Sequence, residues 1–246
     1  VKKLKIGLFS LPCCEGCELA ILELEDRLLK VLDFIEIVES KLFLEHNPKQ
    51  KLDIAFVEGA VISDDDEEHV KEIRSRCKYL VALGSCAATG GIPGIRNFLP
   101  ATQDAKLKRR AVKKVQTKVR ALHETVNVDF SLHGCSINPE EFFDFLNKVK
   151  HGVFPKPPNS PVCVECKQRN IPCLLLRGIP CLGPVSNAGC NALCPGENAQ
   201  CIGCRGFTDD ANFKALADIF KDFGMSKKEI ENLFGYFNPV PKEVKK

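Results

Sequence analysis

An α/β fold, a doubly wound parallel sheet followed by an irregular second part with terminal helices, is predicted for this 246-residue sequence. Three observations carry that prediction. Short apolar runs of strand length alternate with segments of helical period up to about residue 150. The stretch KPPNSP, Lys156 to Pro161, continues neither a helix nor a central strand and closes the alternation. Beyond it, eight of the fourteen cysteines fall between Cys163 and Cys204, where periodicity is weak and Gly, Pro and Asn are frequent. A boundary near residue 155 therefore divides the chain into domains 1–155 and 156–246.

In chain order, Leu4–Ser10 is strand-like and ends at Leu11-Pro12. Cys17 to Leu32 reads as a helix, with Leu19, Leu22, Leu28, Leu29 and Leu32 in helical spacing. Phe34–Val38 and Leu52–Val57 are runs of strand length. Ser63 followed by Asp64, Asp65, Asp66 and Glu67 opens a helix, with the acids at its positive end. Tyr79–Leu83 is a strand that stops at Gly84. The run from Ala105 to His123 holds eight Lys/Arg and no acid, and reads as an amphipathic helix with a basic face. That face is solvated or docks an acidic carrier or a neighbouring subunit. Val126–Leu132 is a strand, and Asn138-Pro139-Glu140 starts a helix through Val149. After Cys204, Thr208-Asp209-Asp210 caps a segment through Phe223. Ser226 with Glu229 has capping-box form for a last helix. Phe213, Phe220, Phe234 and Phe237 are the packing residues of these helices.

Net charge is +3, with 35 Lys+Arg against 32 Asp+Glu, which excludes a strongly basic nucleic-acid binder by bulk charge. No apolar run approaches the ~18 residues of a membrane helix. The opening VKKLKIGLFSLPCC reads as a first strand and not as a signal peptide, and no twin arginine precedes it. The cytoplasm is the expected compartment. In a reducing compartment fourteen cysteines point to metal ligation and away from a disulfide framework.

In a parallel sheet, ligands bind beyond the carboxyl ends of the strands. Cys14 and Cys17 follow the first strand, Cys86 follows Tyr79–Leu83, and Cys135 follows Val126–Leu132, so four thiols from three loops are expected at one sheet edge. In the second part the spacing is C-x2-C-x6-C-x7-C, then C-x8-C-x3-C-x6-C-x2-C. Cys163/Cys166 and Cys201/Cys204 would suit a zinc ribbon, leaving Cys173, Cys181, Cys190 and Cys194 unused unless two zincs share all eight. Iron–sulfur clusters take four cysteines each and tolerate looser spacing. Three such sets use twelve cysteines and leave Cys13 and Cys77. Clusters are the favoured reading. With so few apolar residues in the segment, metal is expected to supply its folding energy.

CCEGCELAILE at 13–23, VEGAV at 57–61, GSCAATGGIPG at 84–94 and GCSINP at 134–139 resemble the small subunit of nickel–iron hydrogenases. CLGPVSNAGCNALCPGENAQCIGCRG at 181–206 resembles its cluster-bearing C-terminal region, and the resemblance runs in order from about residue 4 to 206. It implies a flavodoxin-like first domain binding a proximal cluster and an irregular second domain binding medial and distal clusters. It also implies a large-subunit partner that carries the nickel–iron site. By this resemblance the proximal 4Fe-4S cluster takes Cys14, Cys17, Cys86 and Cys135. The distal 4Fe-4S cluster takes Cys163, Cys166, Cys173 and Cys181, and the medial one takes Cys190, Cys194, Cys201 and Cys204.

Two departures from the periplasmic uptake type are informative: Cys163 stands where that type has histidine, and Cys194 adds a fourth medial thiolate. Both resemble the cytoplasmic multisubunit enzymes. The eight C-terminal cysteines set the chain apart from small subunits with a single cluster and from the related complex I subunit. No catalytic residue is expected here, because the DPCxxC context of the large subunit's nickel ligands is missing. The implied function is a one-electron relay in reversible dihydrogen oxidation, delivering to a flavoprotein, ferredoxin or heterodisulfide reductase type of acceptor. A stand-alone iron–sulfur carrier and a zinc-stabilised interaction module are the alternatives. Cys13 and Cys77 are expected to be non-ligating thiols, and His133 a structural histidine. Gly16, Gly84, Gly90, Gly91 and Gly134 are expected to allow close backbone approach to the proximal site. GSCAATGG lacks the Lys-Ser/Thr ending of a phosphate loop.

Overall fold

The computed structural model describes residues 3–44, 49–100, 102–105, 115–156 and 158–238. The chain forms two compact units, Val1–Lys156 and Pro157–Lys246.

The first unit is built on strands β1 (Leu4–Ser10), β2 (Ile35–Ser40), β3 (Leu52–Glu58), β5 (Cys77–Leu83) and β7 (Phe130–Leu132). They make one sheet in the order β2-β1-β3-β5-β7, with every pairing parallel. Counting only these strands, the order is 2-1-3-4-5, the flavodoxin-like arrangement, whose direction reverses between its first and third strands. The middle strands read as continuous apolar runs because both faces are covered. In β3 the residues Ile54, Ala55, Phe56 and Val57 are all fully buried. Alternate side chains go to opposite faces. Ile54 and Phe56 pack beneath α1 (Gly16–Leu22) and the helix Pro139–Lys150, where Phe56 meets Phe142 and Phe145 at 5.1 and 5.9 Å between ring centroids. Ala55 and Val57 face α3 (Asp64–Arg76), through Val70 and Ile73.

Local chemistry sets the helix ends. Ser63 accepts the Asp66 N–H at 3.2 Å and donates its own N–H to Asp66 at 2.8 Å, a complete capping box. At the other end of α3, Arg76 pairs with Glu39 at 2.6 Å and lies over the Phe9 ring. Asn138 caps Pro139–Lys150, whose proline occupies a position that has no intrahelical N–H bond to lose.

Four elements differ from the sequence expectation. The helix expected over Cys17–Leu32 is two, α1 and α2 (Asp26–Leu32), broken where Glu25 adopts φ 48°. Glu23 and Glu25 sit at the negative end of α1, whereas Asp26 sits at the favourable end of α2. The strand expected over Val126–Leu132 is only β7. Asp129 accepts the Leu80 N–H at 2.8 Å and pairs with Arg74 at 2.9 Å, so a side chain takes over part of the ladder. The amphipathic helix expected across the basic run is replaced, over its described central part, by a strand. Val115–Arg120 is strand β6, antiparallel to β4 (Val61–Ser63), and residues 106–114 lie outside the described residues. Val115 and Val119 are β-branched with polar residues on either side of Val119, a strand pattern that the density of basic residues conceals. Finally, the helix after Thr208 starts at Phe213, capped by Asn212, which accepts the Ala215 N–H at 3.0 Å.

The second unit has short helical turns at Val162–Gln168, Leu175–Arg177 and Leu193–Gly196, then the helices Phe213–Asp222 and Lys227–Gly235. Its cysteine-rich segment shares an apolar core with the two terminal helices: Val162, Leu174, Leu182 and Val185 pack with Leu216, Phe220, Ile230 and Phe234. The segment that looked too polar to fold without metal thus receives apolar cover from the helices that follow it. Among the described residues no helix is long and apolar enough to cross a membrane.

Candidate metal centre

The carboxyl ends of β1, β3, β5 and β7 form one rim in the first unit. Register places Ser10 of β1 beside Glu58 of β3, and Glu58 beside Leu83 of β5. The chain leaving β1 stays close: Leu11 N–H donates to the Glu58 carbonyl at 2.8 Å, and Ala60 N–H to the Pro12 carbonyl at 3.3 Å. That loop carries Cys13, Cys14 and Cys17. The loop after β5 carries Cys86 and the one after β7 carries Cys135. Ser85 N–H donates to the Gly134 carbonyl at 2.8 Å and ties these two loops together. Gly84, at φ +80°, has no room for a side chain, since a Cβ there would overlap Cys17 Sγ.

Cys14, Cys17, Cys86 and Cys135 are electrostatic neighbours. Cys86 is acted on by Cys135 and Cys14, Cys135 by Cys14, and Cys17 by Cys86. Burial pushes the Cys86 thiol up to about 11, and it pushes Cys17 and Cys135 up as well. Backbone N–H groups of Ile137 and Ile92 oppose this at Cys17 and Cys86.

Two carboxylates complete the rim, and sequence reasoning did not single them out. Glu58 is 1% exposed and Glu18 is 2% exposed. Glu58 Oε2 accepts the Cys17 N–H at 3.1 Å, while its Oε1 is buried without a hydrogen-bond partner among the described residues. Glu18 accepts from Ser10 Oγ at 2.6 Å. Burial, then mutual repulsion with Glu18, raises the Glu58 carboxyl above its ordinary range. Cys13 is drawn into this group. Burial and then Glu58 raise its thiol, to about 12. Only the glutamate within VEGAV hinted at this in the sequence. Cys77 lies elsewhere, buried beside Val70 and Ile73 with Arg74 against its sulfur.

In the second unit, Cys163, Cys166, Cys173 and Cys181 form one neighbourhood. Cys163 is raised to about 11 by burial and then by Cys181, Cys166 and Cys173. Cys181 Sγ accepts the Cys201 N–H at 3.4 Å. Cys201, raised to about 12 by burial, also lies beside Cys204. Cys190 and Cys194 share the next loop, and Cys181 is in the field of Cys194. The last four cysteines are therefore linked to the first four through Cys181 and through Cys166, which neighbours Cys190, and two of them, Cys201 and Cys204, are neighbours.

The donor set fits a multinuclear metal group. Desolvated thiols with thiol neighbours resist ionisation, and ligation requires the thiolate, so an electropositive body must offset the charge. Among the described residues, no three His, Cys, Asp or Glu groups close on a single-ion position. In each unit several thiols act on one another, and an iron–sulfur cluster is held by four such thiolates.

The family model described as NADH ubiquinone oxidoreductase, 20 Kd subunit, matches residues 14–149. The chain is 37% identical over 225 residues to the sulfhydrogenase 2 subunit delta of Pyrococcus furiosus, with 89% of this chain and 93% of that one covered. It is 32% identical to a subunit of the vhu F420-non-reducing hydrogenase of Methanocaldococcus jannaschii, covering 95% and 93%. A chain in the crystal structure of an NAD+-reducing [NiFe]-hydrogenase in the H2-reduced state superposes with a TM-score of 0.57 at 27% identity, covering 64% of this chain and 96% of that one.

Proposed function

The chain belongs to the NADH ubiquinone oxidoreductase 20 Kd subunit family as a hydrogenase small, electron-transfer subunit, and from that premise we propose its role in the complex. It relays electrons between a nickel–iron site on a partner large subunit and an acceptor subunit or carrier of flavoprotein, ferredoxin or heterodisulfide reductase type. The cytoplasm is its proposed compartment. The observation that carries this reading is the rim: Cys14, Cys17, Cys86 and Cys135 meet beyond the carboxyl ends of β1, β5 and β7, where an α/β sheet binds its ligand.

When bound, 4Fe-4S clusters supply one-electron carriers over a window of roughly −700 to +450 mV. This chain's residues do the rest. Cys14, Cys17, Cys86 and Cys135 hold the proximal group. Glu58 fixes the Cys17 turn, and the N–H groups of Ile92 and Ile137 face Cys86 and Cys17. Cys163, Cys166, Cys173 and Cys181 hold the distal group, and Cys190, Cys194, Cys201 and Cys204 the medial one. Leu174, Leu182 and Phe220 keep water from Cys181 and Cys201. Held by these cysteines, one-electron carriers would let a partner site that handles two electrons per dihydrogen empty stepwise.

Metal analysis of the anaerobically purified complex tests this. About 12 Fe and about 12 inorganic sulfides are expected per copy of this chain. Mainly zinc, or only about four Fe, would overturn the three-cluster reading and favour a zinc-stabilised module or a single-cluster subunit.

A further inference from the structure

We infer that Glu165 is a positioning residue that clamps the Cys190 loop onto the Cys163–Cys166 turn and places one negative charge between the two ligand sets. The inference rests on the ligand sets proposed above. Glu165 lies inside the CVEC turn, yet both its oxygens are used by a loop more than twenty residues away. Oε1 accepts the Gly189 N–H at 2.7 Å, Oε2 accepts the Ala192 N–H at 2.9 Å, and Cys190 Sγ is 3.8 Å from Oε2.

The loop's conformation explains why a carboxylate is needed. Gly189, Asn191 and Ala192 have φ of 112°, 54° and 47°. Left-handed residues in a short stretch turn N–H groups to one side, making a concave seat for an anion. Asn191 tolerates such a φ, but Ala192 is strained in it and must be held by its surroundings. The carbonyls are held by cations: Arg169 donates to the Asn191 carbonyl at 2.5 Å, and Arg205 Nε to the Ala188 carbonyl at 2.8 Å. A Cβ on Gly189 would overlap the Arg205 guanidinium, so a side chain there would have to displace it as well as adopt φ 112°. N–H groups facing a carboxylate and carbonyls facing guanidinium groups leave the loop one way to sit.

Cys166 and Cys190 are electrostatic neighbours, and Glu165 acts on both. It thus sits where Cys166 of one set neighbours Cys190 of the other. Reduction of either set adds one electron and makes or breaks no bond, and a nearby negative charge opposes it. Removing the charge should raise the reduction potential of both sets.

The test uses the anaerobically purified complex with Glu165→Gln. That variant is expected to keep its iron and to exchange the Gly189 and Ala192 amide hydrogens about tenfold faster or more, the scale of a charge-assisted bond. The amides of Val162 and Leu182, bonded to Ser186 and Cys201, should be unaffected. Redox titration followed by electron paramagnetic resonance should show the second-unit signals shifted to more positive potential. Unchanged exchange at Gly189 and Ala192 would overturn the clamp, and an unchanged potential would overturn the placement of the charge. If the variant does not assemble, the unmodified complex still decides: Gly189 and Ala192 amides exchanging as fast as exposed loop amides overturn the inference. Iron missing from the second unit of the unmodified complex would instead refute the proposed ligand sets, and would leave the exchange result to judge the clamp.

Discussion

Glu58, the last residue of β3, accepts the backbone N–H of Cys17 at 3.1 Å across 41 residues of sequence. That bond joins the switch point of the sheet to the first turn of α1, and Glu58 is almost wholly buried in making it. Glu58→Leu leaves the Cys17 N–H without its acceptor, a cost of about 1–3 kcal/mol concentrated on one ligand turn. The expected outcome is a complex that loses about four Fe per chain, the complement of one cluster, and keeps the rest. Glu58→Gln retains a carbonyl acceptor and should retain the iron. Full iron content in Glu58→Leu would show that the turn stands without its anchor.

In the proposed medial set, Cys194 supplies the fourth thiolate. Removal of one ligand from a cubane commonly leaves a three-iron cluster, and Cys194→Pro should convert this one site. The expected signature is a new electron paramagnetic resonance signal in the oxidised protein, with the remaining sites unaltered. An unchanged spectrum would remove Cys194 from the ligand set.

Features that depend on neighbours along the chain are legible in the sequence itself. The helix start at Ser63, the doubly buried run of β3 and the cysteines directly after β1 and β5 are of that kind. Features set by distant side chains are not. Asp129 shortens β7 by bonding Leu80 and Arg74. Beyond the VEGAV motif around Glu58, the sequence does not say what Glu58 and Glu165 bind, and only the fold shows that each accepts backbone N–H groups of a distant cysteine-bearing segment in its own unit. Val115–Arg120 is misleading for another reason: its basic residues suggest a solvated helix face, whereas β4 supplies a ladder partner that no local window contains. The helix break at Glu25 lies beneath an apolar spacing that continues unbroken through it.

The β4–β6 ribbon is also where pH should act. Hydrogen bonds from Lys71, Arg120 and Gln116 hold the Glu67 carboxyl down at about 2, against an ordinary value of 4.5. A lowered folded pKa gives stabilisation that is present above the unfolded pKa and is lost as pH falls through the folded one. The amides of Val115–Arg120 should therefore be better protected from exchange in the unmodified protein than in Glu67→Gln at pH 7. That difference should shrink as the pH is lowered from 4.5 and vanish near 2. A difference independent of pH would mean that the carboxylate's charge is not what secures the ribbon.

In the proposed assignment Cys163 opens the distal set, which makes it an exit ligand of the proposed relay. If electrons enter at the Cys14 set and leave at the Cys163 set, damage at Cys163 should be felt by delivery and not by the chemistry of dihydrogen. Hydrogen–deuterium exchange at the partner's metal site requires no electron to depart, whereas reduction of the natural acceptor requires every step of the relay. Cys163→Ser, a near-isosteric change of one thiolate to a weaker ligand, is therefore expected to lower dihydrogen-dependent acceptor reduction by an order of magnitude or more while exchange continues at close to its original rate. Both assays run on the same preparation, so loss of protein cancels from their ratio. Equal loss of the two activities in a complex of normal subunit composition would place Cys163 away from the exit. An acceptor rate that survives with the distal signal abolished would show that electrons leave this chain before they reach Cys163.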